Sequence, residues 1–260
     1  MYPLLFEIGG QPVYSYGVLL SLAYLAALYL VVQRSVSTGI DPVRTMDLAI
    51  YTMVAAAIGG KFSVFFQDLR YFMESPESLS VLVRSRGDFY GATLAGFATT
   101  WWFAGRLGMS RWKIADLFAP AVALTIAVGR LACLLAGCDY GRRTDLPWAV
   151  TFTDPVAAMT NGTPLEVPLH PVQIYEAAAA FGIFLVLLAT ERRGIAAGRS
   201  FWLLVLLYAV SRFVTELYRG DPRGMILGLS TPQFASVVLA PMSIVMLWRL
   251  RVRSAAAAAV

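Results

Sequence analysis

Long apolar stretches recur along the whole chain, and they constrain its fold more than any other feature. Seven of them approach the roughly 20 residues that a helix needs to cross a bilayer, and they cover residues 14–33, 46–66, 89–105, 114–137, 171–190, 200–218 and 231–248. Only lipid solvates so much apolar surface without aggregation. The sequence therefore predicts an all-α, polytopic membrane protein with about seven transmembrane helices.

The composition supports this class and excludes others. Hydrophobic residues make up 58% of the chain and charged residues 14%, whereas about a quarter of the residues of a soluble domain are charged. A disordered chain, a fibrous protein and most soluble enzymes are thereby excluded. No polar block interrupts the apolar stretches, so we expect residues 1–260 to form a single integral membrane domain.

The basic residues predict the orientation in the membrane. The net charge is +5, which in a soluble protein would suggest a nucleic acid partner. Here the basic residues lie in short loops, and more of them follow the first, third, fifth and seventh stretches than the others. Those loops should be cytoplasmic, so we expect no nucleic acid partner, an extracytoplasmic N-terminus and a cytoplasmic C-terminus. Two long segments, about 67–88 and 138–170, would then be extracytoplasmic, and such segments commonly carry function.

Two arginines inside the apolar stretches are the first candidates for function. Arg130 lies late in the fourth stretch and Arg212 late in the sixth, and a charge in hydrocarbon is costly unless it is paired or hydrated. Two inward guanidiniums at one depth would suit a phosphate. Glu216 lies four residues after Arg212 and can pair with it, and Tyr208 lies on the same stripe. Structural ion pairs or snorkelling to the headgroups are the alternatives.

The segment that opens the fifth stretch is polar. His170, the only histidine, precedes a proline suited to the first helical position, and Gln173, Tyr175 and Glu176 follow. One interpretation is a capped helix start with an interfacial tyrosine. The other is a polar site wall formed together with Arg130 and Arg212.

The two cysteines also have two interpretations. Cys133 and Cys138 are five residues apart, about 140° around a regular helix, so a disulfide needs the helix to break between them. Gly137 permits such a break. The alternatives are two small residues in a tight helix contact, or a redox pair or reactive thiol. Tyr16 and Tyr90, each at the start of an apolar stretch, are either interfacial anchors or hydrogen-bonding groups in a site.

Several segments together resemble the bacterial prolipoprotein diacylglyceryl transferase family, in the right order and over most of the chain. The stretch VGRLACLLAGCDYG resembles the signature G-R-x-G-N-F-x-N-x-E-x-x-G, and HPVQIYEA is close to H-P-S-Q-L-Y-E. YAVSRFVTELYR has the family's Tyr, Arg, Glu and Arg at the same spacings, and DFYGATLAGF resembles the segment written S-F-H-G-G.

The resemblance implies an activity and its partners. A member of this family transfers diacylglycerol from phosphatidylglycerol to the thiol of the lipobox cysteine in a prolipoprotein signal peptide. It works in the bacterial cytoplasmic (inner) membrane as a multi-pass protein among membrane lipids, without a metal or cofactor. Preplaced arginines would stabilise the phosphate that leaves.

The resemblance also implies site residues. Arg130 and Arg212 match the family's essential arginines. The positions that match binding residues are Tyr16, Gly141, His170, Gln173, Tyr175, Glu176, Tyr208, Glu216 and Arg219.

Three departures from the family pattern place a cysteine or a tyrosine where the family has another residue. Cys133 stands where the signature has its first Asn, Cys138 where the signature has Glu, and Tyr90 where the S-F-H-G-G segment has His. Asp139, adjacent to Cys138, is expected to substitute for the missing acid, and Asp139 and Tyr90 are candidates for handling the thiol proton. Two alternatives follow from these departures: transfer from a glycerophospholipid to another acceptor, and a phospholipid-binding membrane protein without catalysis.

Overall fold

The computed structural model describes residues 2–74, 79–84, 87–191 and 197–258. These residues form ten helices: α1 (Ser15–Ser37), α2 (Pro42–Gln67), α3 (Leu69–Glu74), α4 (Leu79–Arg84), α5 (Phe89–Arg106), α6 (Arg111–Ala136), α7 (Pro155–Asn161), α8 (Val172–Glu191), α9 (Arg199–Glu216) and α10 (Thr231–Ala258). Seven of them coincide with the predicted apolar stretches. The predicted helical, polytopic class is therefore confirmed.

Five of the described helices are long and apolar enough to cross a membrane. The spans are Ser15–Ser37, Pro42–Gln67, Arg111–Ala136, Val172–Thr190 and Thr231–Val252. Helix α9 falls short of the same criterion because it carries Arg199, Arg212 and Glu216. Helix α5 falls short because its glycine, threonine and tryptophan residues lower its mean hydropathy. The prediction of seven spans thus depends on α5 and α9.

Three short two-stranded sheets accompany the helices in the described part of the chain. Strands β1 (Leu4–Ile8) and β2 (Gln11–Tyr14) form an antiparallel hairpin before α1. Gly9 and Gly10 turn it with φ of 56° and 78°, which only glycine adopts freely. The other pairs are β3 (Val150–Thr151) with β4 (Pro168–Leu169), and β5 (Met225–Ile226) with β6 (Leu229–Ser230). The sequence does not predict these strands, because runs of two to five residues carry too little periodicity.

The chain divides into two compact units, and the prediction of a single domain stays a prediction. Leu28–Leu117 forms one unit, in which α2 packs on α5. A Cβ added at Gly59 would lie 2.8 Å from the carbonyl oxygen of Gly91, so the two backbones approach more closely than larger residues allow. The hydroxyls of Thr52 and Thr100 add a hydrogen bond of 2.8 Å between the helices.

The other unit comprises Met1–Ala27 and Phe118–Val260. Its apolar core joins α6, α8 and α9 through Ala119, Ala123, Ile183, Leu187 and Leu204. The charged ends of these helices meet beyond this core, where Glu176 of α8 contacts Arg130 of α6 and Arg212 of α9. The core therefore positions the candidate site.

The break after α6 is built by the segment that follows it. Gly137 ends the helix with a φ of 78°. The side chains of Asn161 and Thr163 donate to the carbonyl oxygens of Ala136 and Gly137, at 2.9 and 2.7 Å. These carbonyls would otherwise lack partners at the helix end. The helix therefore breaks between Cys133 and Cys138, as the sequence permits.

Candidate functional site

Glu176 is the centre of a buried ion-pair network. Its side chain, in the second turn of α8, is 6% exposed. Arg212 donates a hydrogen bond to Oε1, and the Nε atom of Arg130 lies 2.8 Å from Oε2. The Nη1 atom of Arg219 lies 3.7 Å from the same oxygen. One carboxylate thus holds three guanidiniums in a single cluster.

Asp139 is the second centre of the network. Arg130 approaches its Oδ2 at 2.8 Å, Arg223 approaches its Oδ1 at 2.9 Å, and Arg219 also donates to Oδ1. Asp139 adopts a left-handed φ of 60°, which is uncommon for a residue other than glycine. The thiol of Cys133 donates to Oδ2 at 3.3 Å. Asp139 therefore ties the end of α6 to the loop after α9.

The network as described is electrically neutral. Glu216 pairs with Arg212 at 2.7 Å, as the four-residue spacing predicts. Asp221 pairs with Arg219 at 2.8 Å and with Arg223 at 3.0 Å. Four arginines therefore face four carboxylates: Arg130, Arg212, Arg219 and Arg223 with Asp139, Glu176, Glu216 and Asp221. This compensation is what allows so many charges to be buried, since an uncompensated ion there costs several kcal/mol.

Some buried donors in the network remain without a hydrogen-bond acceptor among the described residues. They are Nη1 of Arg219 and Nε of Arg223. The side chain of Arg219 is only 2% exposed, so water does not readily satisfy it. Buried donors without acceptors cost free energy, and two such N–H groups are suited to the oxygens of an anionic ligand.

Burial and the neighbouring arginines shift the pKa values of Asp139 and Asp221 in opposite directions. Burial tends to raise the pKa of Asp139, but the attraction of Arg130 and Arg219 outweighs it and leaves that pKa lowered. Burial also raises the pKa of Asp221, and the opposing attraction of Arg219 does not cancel the effect. Asp139 is therefore a poor proton acceptor, while Asp221 is a better one.

These shifts predict how the folded protein responds to acid. An aspartate with a lowered pKa contributes stability above its ordinary value of about 3.9, and this contribution is lost as the pH falls through its lowered folded value. We expect Asp139→Asn to flatten the loss of stability below about pH 4. Unfolding in detergent as a function of pH measures this. Asp145→Asn, at an exposed aspartate of the same segment, is the control, and an unchanged acid slope in Asp139→Asn contradicts the prediction.

Backbone pairing holds the two loops of the site together. Gly141 forms an isolated bridge with Arg219. The amide of Arg142 donates to Tyr218 at 2.9 Å, and the amide of Gly220 donates to Tyr140 at 3.0 Å. Asp139 and Arg219 are thus brought into contact by short strand-like segments on either side.

Gly141 is predicted to tolerate no side chain. A Cβ there would lie 2.8 Å from the Cβ of His170 and 2.8 Å from Cγ2 of Val172, and it would collide with the carbonyl oxygen of His170. We expect Gly141→Ala to destabilise the protein by about 1–3 kcal/mol, as overpacking does. Thermal unfolding in detergent measures this. Gly129→Ala, where an added Cβ meets nothing within 4 Å, is the matched control and should retain the wild-type stability.

His170 and Tyr175 belong to an aromatic cluster. The indole N–H of Trp148 donates to the hydroxyl of Tyr175 at 2.8 Å, and Nδ1 of His170 lies 3.4 Å from that hydroxyl. The ring of Tyr218 lies 5.1 Å from the His170 ring. Gln173 is wholly buried and donates to the carbonyl oxygen of Cys138 at 2.8 Å. The polar start of α8 therefore contacts both this aromatic cluster and the segment that carries Asp139, and its role as a wall of the site stays a prediction.

Most of the sequence-predicted residues meet in one place. The residues that contact one another in the ion-pair network or in the loops that support it are Arg130, Cys133, Cys138, Asp139, Gly141, Gln173, Glu176, Arg212, Glu216 and Arg219. Tyr208 packs against the apolar core one turn before Arg212. Tyr16 is half-buried in the first turn of α1, and Tyr90 lies half-exposed at the start of α5 in the other unit. Site roles for these three tyrosines stay predictions.

Two charged members of the network, Arg223 and Asp221, are not predicted as site residues from the sequence. Arg223 is one of the loop charges that predict the orientation, and Asp221 carries no prediction. The pattern Arg-Gly-Asp-Pro-Arg over residues 219–223 was the available signal, because a turn through Gly and Pro brings its charged residues together. Trp148 and Tyr218 were missed as well, and they give no spacing signal.

The group formed by Cys133, Cys138 and Asp139 has donor atoms within 4.8 Å of one another. Thiols and a carboxylate are ligands for zinc. However, Asp139 already accepts hydrogen bonds from Arg130, Arg219 and Arg223, and a cation placed here would face those guanidiniums. The group therefore fits a metal poorly.

The fold and this network define a polytopic helical membrane protein with a buried arginine–carboxylate site. The family model described as prolipoprotein diacylglyceryl transferase matches residues 3–249, and the chain belongs to this family. It is 36% identical over 237 residues to the phosphatidylglycerol–prolipoprotein diacylglyceryl transferase of Clostridium tetani (strain Massachusetts / E88), with 91% of this chain and 93% of the relative covered.

Two further relatives carry the same description. The chain is 30% identical over 236 residues to phosphatidylglycerol–prolipoprotein diacylglyceryl transferase 2 of Clostridium perfringens (strain 13 / Type A), covering 90% of this chain and 89% of the relative. It is 29% identical over 259 residues to the transferase of Solidesulfovibrio magneticus (strain ATCC 700980 / DSM 13731 / RS-1), covering 97% and 94%.

Proposed function

We propose that this chain transfers the diacylglyceryl group of phosphatidylglycerol to the lipobox cysteine of a prolipoprotein. The observation that carries the proposal is the convergence of four arginines on one buried site, where N–H groups of Arg219 and Arg223 have no acceptor among the residues that the structure describes. Guanidiniums match phosphate oxygens in number and geometry. Family membership and the names of the three relatives support the same substrates.

The reaction balances without a metal or cofactor. The cysteine thiol of the signal peptide loses its proton, and the thiolate attacks the glyceryl carbon that carries the phosphodiester. The new C–S bond forms as the C–O bond to phosphate breaks. Glycerol phosphate leaves, and its phosphate goes from one negative charge to two. Arginines placed in advance stabilise this additional charge in a site of low dielectric constant.

The roles follow from the contacts of each group. Arg130 and Arg212 are proposed to bind the phosphate, with Glu176 and Glu216 orienting them. The N–H groups of Arg219 and Arg223 that lack acceptors among the described residues are proposed to donate to the same phosphate. Asp139 is proposed as a positioning residue, since a carboxylate held by three arginines is a weak base.

The remaining candidates are given substrate contacts. We propose that Asp221, with its raised pKa, accepts the thiol proton more readily than Asp139. We assign the hydroxyls of Tyr16 and Tyr208 to contacts with lipid or peptide, and Tyr90 stays a sequence-based candidate for handling the thiol proton. The cluster around His170 and Tyr175 is assigned to the acceptor peptide.

We further propose that all seven long helices span the bacterial inner membrane. In this arrangement the N-terminus is extracytoplasmic and the C-terminus cytoplasmic, so the segments at about 67–88 and 138–170 face outward. The excess of basic residues in the alternate loops supports this orientation. Reporter fusions after Arg106 and after Asp145 are expected to give opposite topology signals, and equal signals would contradict the arrangement.

Complementation tests the proposed function in cells. A strain depleted of its own diacylglyceryl transferase is supplied with this chain, and the lipid-dependent gel shift of one prolipoprotein is followed. Rescue is expected from the wild type, and loss of rescue from Arg212→Ala at equal expression. No shift from a well-expressed, membrane-inserted protein would contradict the proposal.

A further inference from the structure

Cys133 and Cys138 lie next to each other and to the ion-pair network. Cys133 is in the last turn of α6 and is 7% exposed, while Cys138 follows the helix break and is partly accessible. Their sulfur atoms and a carboxylate oxygen of Asp139 all lie within 4.8 Å of one another. Both cysteines are present as free thiols. In an unbroken helix this spacing would separate them.

The break in the helix provides the freedom that a disulfide needs. Gly137, with its φ of 78°, turns the chain so that Sγ of Cys138 lies 3.8 Å from the carbonyl oxygen of Cys133. A disulfide requires a sulfur–sulfur distance of about 2.05 Å, so closing it requires a shift of the accessible Cys138 toward the buried Cys133. Glycine at 137 allows that shift more readily than another residue would.

We propose that Cys133 and Cys138 form a reversible disulfide that switches the site off by displacing Asp139. The consequence for activity rests on the proposed transferase function. Oxidation removes the S–H donor that Cys133 gives to Asp139 at 3.3 Å. It also moves residue 138, which is bonded directly to Asp139. The carboxylate then loses its alignment with Arg130 and Arg219.

The oxidation is a thiol–disulfide exchange in which the reagent is a small molecule or a protein that contains a disulfide. The more accessible thiol of Cys138, as thiolate, attacks the disulfide reagent, forms a mixed disulfide and releases one thiol. The sulfur of Cys133, as its thiolate, then attacks Sγ of Cys138 and releases the second thiol. Two protons and two electrons leave the protein, and the reagent's disulfide is reduced to two thiols.

The test uses the full-length protein in detergent or nanodiscs. One sample is treated with oxidised glutathione and another with dithiothreitol, and free thiols are then alkylated under denaturing conditions for intact mass measurement. We expect the reduced sample to take up two alkyl groups and the oxidised sample none, with a mass lower by two hydrogen atoms. Cys133→Ser and Cys138→Ser should each keep one alkylated thiol or carry a single glutathione.

Activity and hydrogen exchange then report on the site. We expect oxidation to slow diacylglyceryl transfer at least tenfold and dithiothreitol to restore it, whereas a serine variant whose remaining thiol is still alkylated after oxidation keeps its own rate under both treatments. Hydrogen exchange at the amides of Arg142 and Gly220, which hold the bridge beside Asp139, should become several-fold faster on oxidation. This second readout does not depend on the transfer reaction.

Three results would overturn the proposal: two alkylated thiols after oxidation, a disulfide that leaves the transfer rate unchanged, or a disulfide that leaves amide exchange unchanged. If the reduced protein transfers no diacylglyceryl group, the proposed function fails. Thiol masses and amide exchange then decide whether oxidation displaces Asp139.

Discussion

Replacing Arg130 with alanine is expected to lower the rate of diacylglyceryl transfer by about 10²–10³-fold, the usual effect of removing one preplaced donor from a charge-stabilising site. Arg130 donates to Asp139 at 2.8 Å through Nη1, and its Nε lies 2.8 Å from Glu176. Its loss removes a positive charge from the position where the proposed reaction places the phosphate, which gains a negative charge as it leaves. The initial rate with purified protein and phosphatidylglycerol vesicles measures the effect.

Two further variants make this prediction specific. Arg130→Lys keeps the charge but loses the forked donor geometry, so we expect it to recover only a small part of the rate. Arg142→Ala removes an exposed arginine in the segment that follows α6 and should stay within about twofold of the wild type, as most surface substitutions do. Equal rates for Arg130→Ala and Arg142→Ala would contradict the assignment of Arg130 to the phosphate.

Replacing Glu176 with glutamine is expected to destabilise the fold as well as the site. Glu176 is the acid that Arg130, Arg212 and Arg219 share, and glutamine keeps its size while removing its charge. Removing one partner from a buried ion pair typically costs about 3–5 kcal/mol, because the opposite charges stay buried without compensation. We therefore expect a clear drop in the thermal unfolding midpoint in detergent, together with loss of transfer.

The matched control for Glu176 is Glu166→Gln. Glu166 is an exposed glutamate in the same long segment between α6 and α8, and its removal should leave stability within about 0.5 kcal/mol of the wild type. A Glu176→Gln protein that unfolds at the wild-type temperature would contradict the account of a neutral network whose members depend on each other.

The sequence was sufficient for the helices and for part of the network. Seven apolar stretches predicted the positions of the long helices, because a membrane helix needs a long uninterrupted run. The largest difference is at the end of the last helix, which was predicted at residue 248 and lies at Ala258. The pair Arg212–Glu216 follows from a four-residue spacing on one helix, and the structure confirms it at 2.7 Å. Both features are local, so they can be read without knowing the tertiary structure.

The remaining contacts depend on how distant segments meet. Glu176 of α8 contacts Arg212 of the neighbouring helix α9. Asp139, after α6, contacts Arg223, which lies far along the sequence in the loop after α9. Neither spacing carries a periodic signal. Arg223 was interpreted through the positive-inside rule alone, although a charge near a helix end can also be a structural partner. The N-terminal hairpin was missed because its strands are short and run into the first apolar stretch.

The departures from the family signature acquire a physical interpretation from these contacts. Cys133, at the position of the signature Asn, retains a donor and directs it to Asp139. Asp139, the residue after Cys138, makes the contact with Arg130 that an acid at position 138 is expected to make, and its left-handed backbone places it there. The acid of the signature is therefore replaced by its neighbour in sequence, and this replacement requires the turn that Gly137 begins.

The most direct test of the central claim is a reaction with defined components. The purified chain is incubated with phosphatidylglycerol and a lipobox peptide, and the peptide mass and released glycerol phosphate are both quantified. The account predicts one diacylglyceryl group on the cysteine per glycerol phosphate released, and no modification of the same peptide with serine in place of that cysteine. Binding of phosphatidylglycerol without either product, from protein that is folded in detergent, would contradict it.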